Sequence, residues 1–493
     1  MPARTDAALR SRAWRTAAIA VLIAALLVFQ CSDIGWLHLQ AWDESRLAVN
    51  AIEMMLSGDR LVTTYGFHPD LWNTKPPLAI NLMAGSMALF GPTAFAARLP
   101  AALAACATVI VLGRFVARIT GSPGCGVGAA ALLATAPLFH GYHSGQTADY
   151  DAILTLFTTG YAIALFDLIE ADRRAPATAL AAGALTGLAI LTKGVAGIIP
   201  GIGIAAYAVI FAWQSLGRKT LDYAIVVGVA AVIGGAFYLL RANGPAGYMA
   251  AMAANDLGGR FGTALDQHIG SRWFYLREIV RHPPGWALPA IAALPLLGPG
   301  PARRLALFAL CQVAGIVVVY SSAATKISWY IVPALPFVAT LIALAGLALT
   351  RRAAASSPRA AQVASTVMAL VVAAFAAQAV RSRYIRPWSP PALARPFDTL
   401  IAAATVRRMT PLVVVDTGYA NGAGFVDYAP TLRFYALAAS TRGIVIRQAV
   451  SVAHAADARF AGSCDPATRA EVVRLAPPVW SGDGCVLIDR SRR

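Results

Sequence analysis

The sequence predicts an all-α polytopic membrane protein with a small α/β domain at its C-terminal end. Three observations predict it. Of 493 residues, 58% are hydrophobic and only 13% charged, and the mean hydropathy is +0.61. The apolar residues recur in blocks of about 17–22, long enough to cross a hydrocarbon core of roughly 30 Å. Basic residues gather at block ends, the topogenic pattern of membrane proteins. A soluble domain has no interior in which to hide so much apolar surface. The net charge of +17 would point to nucleic acid in a soluble protein, but these clusters account for it, and no nucleic-acid partner is expected.

The blocks lie near 16–37, 98–117, 124–141, 151–170, 176–192, 195–213, 221–240, 285–299, 303–321, 327–349 and 360–380. The first follows Arg4, Arg10, Arg12 and Arg15 and has the look of a signal peptide. No clear small-x-small cleavage site follows and Cys31 sits in a poor lipobox, so it reads as a retained span. Leu78 to Phe90 is too short to span and enters through Lys75-Pro76-Pro77. Counting it as a span would reverse every later loop; it reads as a juxtamembrane or re-entrant helix. With that choice Arg114/Arg118, Arg173/Arg174, Arg218/Lys219, Arg303/Arg304 and Arg351/Arg352/Arg359 all join the N-terminus inside. The result is about 11 spans, with 11–13 possible, a cytoplasmic N-terminus and an external C-terminus.

Residues 1–380 then form the membrane domain, with external loops at 38–97, 142–150 and 242–284, and 381–493 form an external tail. The tail carries β-rich runs at 411–416, 443–447 and 485–489 between helix-like stretches, which reads as α/β. Cys464 and Cys485 lie in it. An oxidising compartment favours pairing them; two free thiols are the alternative. No internal repeat of the transporter kind is visible.

In the first loop, Ala41 to Ser57 has helical periodicity. Leu47, Ala51, Ile52, Met55 and Leu56 share one face, and Asp43, Arg46, Asn50, Glu53 and Ser57 the other, before a stop at Gly58. Such a helix would lie flat on the outer leaflet, its polar stripe towards protein or water. Asp43 reads equally as a helix-capping carboxylate or as a general base at the membrane surface. Lys75 either snorkels to headgroups or grips a phosphate. Asp149 and Asp151 both stand at the threshold of a span, where a helix cap explains one carboxylate better than two.

Lys193 and Lys326 occupy external span ends, the side that the positive-inside rule disfavours. Several cations at one outer face opposite a few carboxylates make an anion site, to which Arg260 and His268 of the third loop could add donors. Trp273-Phe274-Tyr275 reads as an interfacial anchor. His140, His143 and His268 lack metal-ligand spacing, and no metal site is expected.

Asp43-Glu-Ser-Arg46, Lys75-Pro-Pro-Leu78, Ala97-Arg98-Leu-Pro100, Gly145 to Asp151, Leu191-Thr-Lys-Gly194 and Lys326 to Pro333 occur in this order. Together they resemble the GT-C glycosyltransferases of the protein-mannosyltransferase and aminoarabinose-transferase type, over residues 40 to 340. The resemblance implies a helical membrane enzyme with amphipathic helices in its first periplasmic loop. It also implies a lipid-phosphate-linked monosaccharide as donor, with inversion at the anomeric carbon. Asp43 would act as or assist the base, Asp151 would be the second carboxylate, and Lys75 would hold the donor phosphate. Lys193, Arg260, Lys326 and Tyr330 would line the same site. Glu44 is a second candidate base and Asp149 a second candidate carboxylate; Arg46 and His268 complete the expected pocket.

The chemistry is coherent in itself. Fixed cations at a low-dielectric interface stabilise a departing phosphate, so no cofactor is expected and no divalent metal is required. The expected partners are a polyprenyl-phosphate-linked sugar, a glycolipid (lipid A or another) or protein acceptor, and membrane lipids, in a bacterial inner membrane. The alternative is a transporter or flippase, which calls for ionisable residues near the bilayer midplane and repeated halves.

Overall fold

In the computed structural model residues 17, 19–242, 244, 247–264, 268–385, 395–416 and 429–491 are described. They fall into two units: Met1–Ser32, Leu71–Ala79 and Pro100–Pro387, and Asp33–Asp70, Ile80–Leu99 and Trp388–Arg493. Much of the first loop therefore groups with the tail.

Among the described residues of the whole chain, seven helices are long and apolar enough to cross a membrane: Ala94–Thr120, Asp151–Glu170, Pro176–Gly197, Thr220–Ala242, Pro301–Ser322, Ser328–Ala354 and Pro358–Ile385. The other four predicted spans form shorter apolar helices, Ile19–Cys31, Pro123–Ala134, Gly201–Phe211 and Gly285–Leu296. The last is a 3-10 helix containing Pro289 and Pro295, each of which removes an N–H donor. At roughly 2.0 Å per residue, its 12 residues cover about 24 Å, more than an α-helix of that length would. Leu78–Phe90 is a 13-residue helix, as its short apolar run predicts.

In the first unit the Leu335–Ala354 helix is central, packing on Pro123–Ala134, Gly285–Leu296, Pro301–Ser322 and Pro358–Val380. Pro176–Lys193 packs on Asp151–Glu170 and Thr220–Ala242. The latter pairing is close because of glycine. A Cβ on Gly183 would stand 2.8 Å from the Val226 carbonyl oxygen, and one on Gly234 2.8 Å from Ile190. Small residues let helix backbones approach where lipid supplies no hydrophobic drive.

In the second unit the predicted first-loop helix runs Asp43–Ser57 and ends at Gly58, whose φ of 77° is the left-handed stop that glycine accepts. The middle of its polar stripe turns into the protein. Asn50 and Glu53 are fully buried. Glu53 accepts from Thr64 Oγ1, the N–H groups of Gly66 and Phe67, and the guanidinium of Arg433 at 2.7 Å. A buried charge survives only when paired in this way, and Arg433 lies on the Pro430–Ser440 helix, far along the chain.

The tail sheet comprises β3 (Leu412–Val415), β4 (Ile446–Ala449), β5 (Phe460–Ser463), β6 (Pro478–Gly482) and β7 (Cys485–Asp489), after a two-residue hairpin of β1 (Thr64–Tyr65) and β2 (His68–Pro69). The strand order is β4-β3-β5-β7-β6. β3 is parallel to β4 and β5, and β7 antiparallel to β5 and β6. The sequence reading placed β3 and β7, set β4 a few residues early, and missed β5 and β6. Asp483-Gly484, both at positive φ, closes the β6–β7 hairpin in the manner of a primed turn. Cys464 and Cys485 form a disulfide.

Candidate active site

The first unit concentrates charge where three segments meet. Asp151 opens the Asp151–Glu170 helix and Lys193 closes Pro176–Lys193. Lys193 Nζ lies 2.7 Å from both carboxylate oxygens of Asp151, and 5.3 Å from the centroid of the Tyr330 ring. Both charged side chains are nearly sealed from solvent, at 9% and 1% exposure. Gly194 turns the chain immediately afterwards with φ 58°, and a Cβ there would meet the Tyr238 hydroxyl at 2.8 Å.

Lys75 reaches this region from the first loop. Its segment is pinned on three sides: the Tyr150 hydroxyl donates to Asn73 Oδ1 at 3.0 Å, Thr74 Oγ1 to Asp256 at 2.6 Å, and the Tyr248 hydroxyl to the Thr74 carbonyl at 2.8 Å. The Lys75 ammonium lies 5.6 Å from the Tyr150 ring centroid and 6.0 Å from that of Trp72. Lys75, Lys193, Asp256, Tyr320, Thr325 and Tyr330 line one narrow pocket of about 50 Å³, with Phe261 among its apolar walls. The recess thus sets two lysines among largely apolar walls, with Asp256 in its lining and Asp151 against Lys193.

Asp149 belongs to a neighbouring arrangement. Its Oδ2 stands 2.5 Å from His143 Nδ1, its Oδ1 accepts the Tyr150 N–H at 2.7 Å, and the His143 ring stacks on Trp329 at 3.5 Å. Burial alone would push the Asp149 carboxyl up. The hydrogen bond and charge of His143, the charge of Lys193 and the Tyr150 N–H outweigh it and hold Asp149 below the usual carboxylate range.

Several sequence expectations need correction. Lys326 does not line the pocket. Its ammonium donates to the carbonyls of Tyr320 at 3.2 Å, Ser321 at 2.8 Å and Ala323, so it caps the C-terminal end of Pro301–Ser322. That is where a helix most favours a cation, and burial lowers the amine below the ordinary lysine range. Lys219 caps Asp151–Glu170 in the same way, through the carbonyls of Leu168, Ile169 and Ala171. The His268 side chain is exposed, and its carbonyl accepts the Lys326 N–H at 2.8 Å. The Arg260 side chain lies outside the described residues.

In the second unit, Asp43 is the first residue inside its helix, half-buried, with Trp42 at the cap position. Glu44 is not placed to act as a base. Its oxygens accept from Arg98 Nε at 2.6 Å, Arg98 Nη2 at 2.9 Å and the Gln40 N–H at 2.7 Å, all buried. Arg46 is committed to Asp70, at 3.0 and 2.7 Å, and lies over the Tyr65 ring at 4.7 Å; its role is to tie the helix to the β1–β2 hairpin. Asp256, Tyr150 and the His143–Asp149 pair escaped the sequence reading.

The apolar helices and their glycine-packed pairs define a multi-pass helical membrane protein. Residues 74–236 match the family model described as dolichyl-phosphate-mannose-protein mannosyltransferase. Two structures of ArnT from Cupriavidus metallidurans, in the apo state and bound to undecaprenyl phosphate, are each 20% identical to the chain. Their TM-scores are 0.67 and 0.65, and they cover 97% and 96% of this chain and 98% of their own. The oligosaccharyltransferase AglB from Archaeoglobus fulgidus, in complex with an inhibitory peptide and a dolichol-phosphate, is 12% identical with a TM-score of 0.53. It covers 81% of this chain and 58% of its own. No curated protein sequence matches. The chain shares its fold with ArnT, and its residues 74–236 are similar to the protein mannosyltransferases.

Proposed function

We propose that the chain is an inverting glycosyltransferase that moves a monosaccharide from a polyprenyl-phosphate carrier to a lipid or protein acceptor at the periplasmic face of the inner membrane. The observation that carries this reading is the pocket holding Lys75 and Lys193, with Asp151 against the latter. The similar ArnT structure holds undecaprenyl phosphate and the AglB structure a dolichol-phosphate, which supports a polyprenyl-phosphate donor here. The donor phosphate sits against Lys75 and Lys193. The acceptor oxygen attacks the anomeric carbon from the opposite face; the bond to the phosphate oxygen breaks, and its electron pair leaves with the phosphate. The lysine charges stabilise that developing anion. Asp43 takes the proton when the acceptor is a hydroxyl, help worth about 10²–10⁴ in rate. A glycolipid acceptor such as lipid A is preferred over protein, because the Lys326–Pro333 segment follows the aminoarabinose-transferase pattern.

Mass spectrometry of surface glycolipids and glycoproteins from cells with and without the protein identifies sugar and acceptor together. Asp43→Asn should abolish transfer with expression and membrane insertion intact; transfer at the wild-type rate would remove Asp43 as the base. Lys75→Ala should raise KM for the donor more than for the acceptor, and equal effects would argue against phosphate binding.

A further inference from the structure

A second basic site lies wholly within the tail domain, and the proposed transfer reaction makes no use of it. At the sheet end where β3 and β5 begin, a cleft of about 570 Å³ is lined by Arg407, Arg408, Met409, Thr410, Arg459, Phe460, Val479 and Asp489. The fold brings these residues together from four places. Arg407 follows the Phe397–Val406 helix, where its Nη1 donates to the Ala403 carbonyl at 3.0 Å. Arg408 sits in the left-handed region, with φ 52°, which non-glycine residues seldom adopt; it turns the chain sharply into β3. Arg459 precedes β5, its guanidinium 4.7 Å above the Phe460 ring.

Asp489 is the one carboxylate in this lining. It is already committed: Oδ1 accepts the N–H and hydroxyl of Ser491 at 3.0 and 2.7 Å, and lies 3.5 Å from Arg459 Nε. Three arginines thus line one cleft against a single, shared negative charge. Scattered surface arginines point into water, where salt screens them. Gathered around a cleft, their charges repel one another and favour an anion between them.

We propose that this cleft binds a phosphoryl group, presented by a free phosphate compound or by a phosphorylated lipid headgroup. Guanidinium forks match phosphate oxygens in pairs. A doubly charged phosphoryl group offers more acceptor capacity to three arginines than one carboxylate does. The proposal is independent of the glycosyltransferase reading.

Equilibrium binding of radiolabelled pyrophosphate tests it, with the full chain in nanodiscs of neutral phosphatidylcholine. All measurements use a Lys75→Ala background, so that the membrane-domain pocket contributes little. Arg407→Gln/Arg459→Gln should weaken binding at least tenfold relative to that background. Arg474→Gln, an exposed arginine outside the cleft, should leave it unchanged. Thermal midpoints and monodisperse elution on size-exclusion chromatography equal to those of the parent show that the variants fold. Added phosphatidate vesicles separate the sources: competition with pyrophosphate assigns the site to a lipid headgroup, and no competition to a soluble phosphate. Equal affinities in the double variant and its parent, no measurable binding in the parent, or an equal loss in Arg474→Gln would overturn the proposal.

Discussion

Lys193 and Asp151, 42 residues apart in sequence, form a buried ion pair in which one ammonium reaches both oxygens of one carboxylate at 2.7 Å. Removing either partner strands the other charge, a cost of about 3–5 kcal/mol, whereas removing both is far less damaging. Lys193→Met and Asp151→Asn should each lower the thermal midpoint of the detergent-solubilised protein. The double variant should recover much of the loss. Sugar transfer should stay absent in all three, because Lys193 is also a wall of the proposed phosphate pocket. Recovery of transfer along with stability in the double variant would make the pair purely structural.

Lys326 gives the opposite expectation. It serves three carbonyls at a helix end, so Lys326→Met should cost stability, about 1–2 kcal/mol. KM for the lipid donor should hardly move. A raised donor KM at unchanged thermal stability would restore Lys326 to the phosphate site.

Arg98 is 1% exposed and bonds Glu44 twice, together with the carbonyls of Ile34, Leu37 and His38. Arg98→Met leaves a carboxylate and several carbonyls without donors in a dry site, so about 3–5 kcal/mol should be lost. Yield and monodispersity on size-exclusion chromatography should drop. Glu44→Gln should act in the same direction; an unaltered stability with selective loss of transfer would argue that Glu44 is a base after all.

His38 stands 2.7 Å from Asp398 in a half-exposed pair. The contact and charge of Asp398, against a partial burial that opposes them, raise the imidazole above its ordinary value. A raised folded-state value means that the stabilisation is fully present below about pH 6.5, the unfolded reference, and fades as pH climbs through the folded value. Thermal midpoints of the wild type should therefore fall relative to His38→Gln across that window. Parallel curves for the two proteins would show that the pair contributes nothing.

Much of the membrane domain was legible because its signals are local. Twenty apolar residues in succession admit few alternatives, and Gly58 announces a helix stop through its own backbone freedom. Proline made a 3-10 helix of the predicted block at Gly285–Leu296, and the short strands β5 and β6 were not legible. Small residues in Phe460-Ala-Gly-Ser463 leave β5 without an alternating pattern.

Charge was legible as residue type but not as partnership. Lys193 and Lys326 look alike in sequence, each a cation at the outer end of an apolar block. One reaches across to the carboxylate of another helix, and the other folds back onto the carbonyls of the helix it follows. Asp43 and Glu44 are adjacent, and it is Glu44 that pairs with the buried Arg98. The sequence by itself determined that the chain is a helical membrane protein with a mixed tail, because hydrophobic length and periodicity act within single elements. Tertiary structure alone decided which charges neutralise one another and which line a pocket, because an ionic contact falls off over a few ångströms and chain distance says nothing of space.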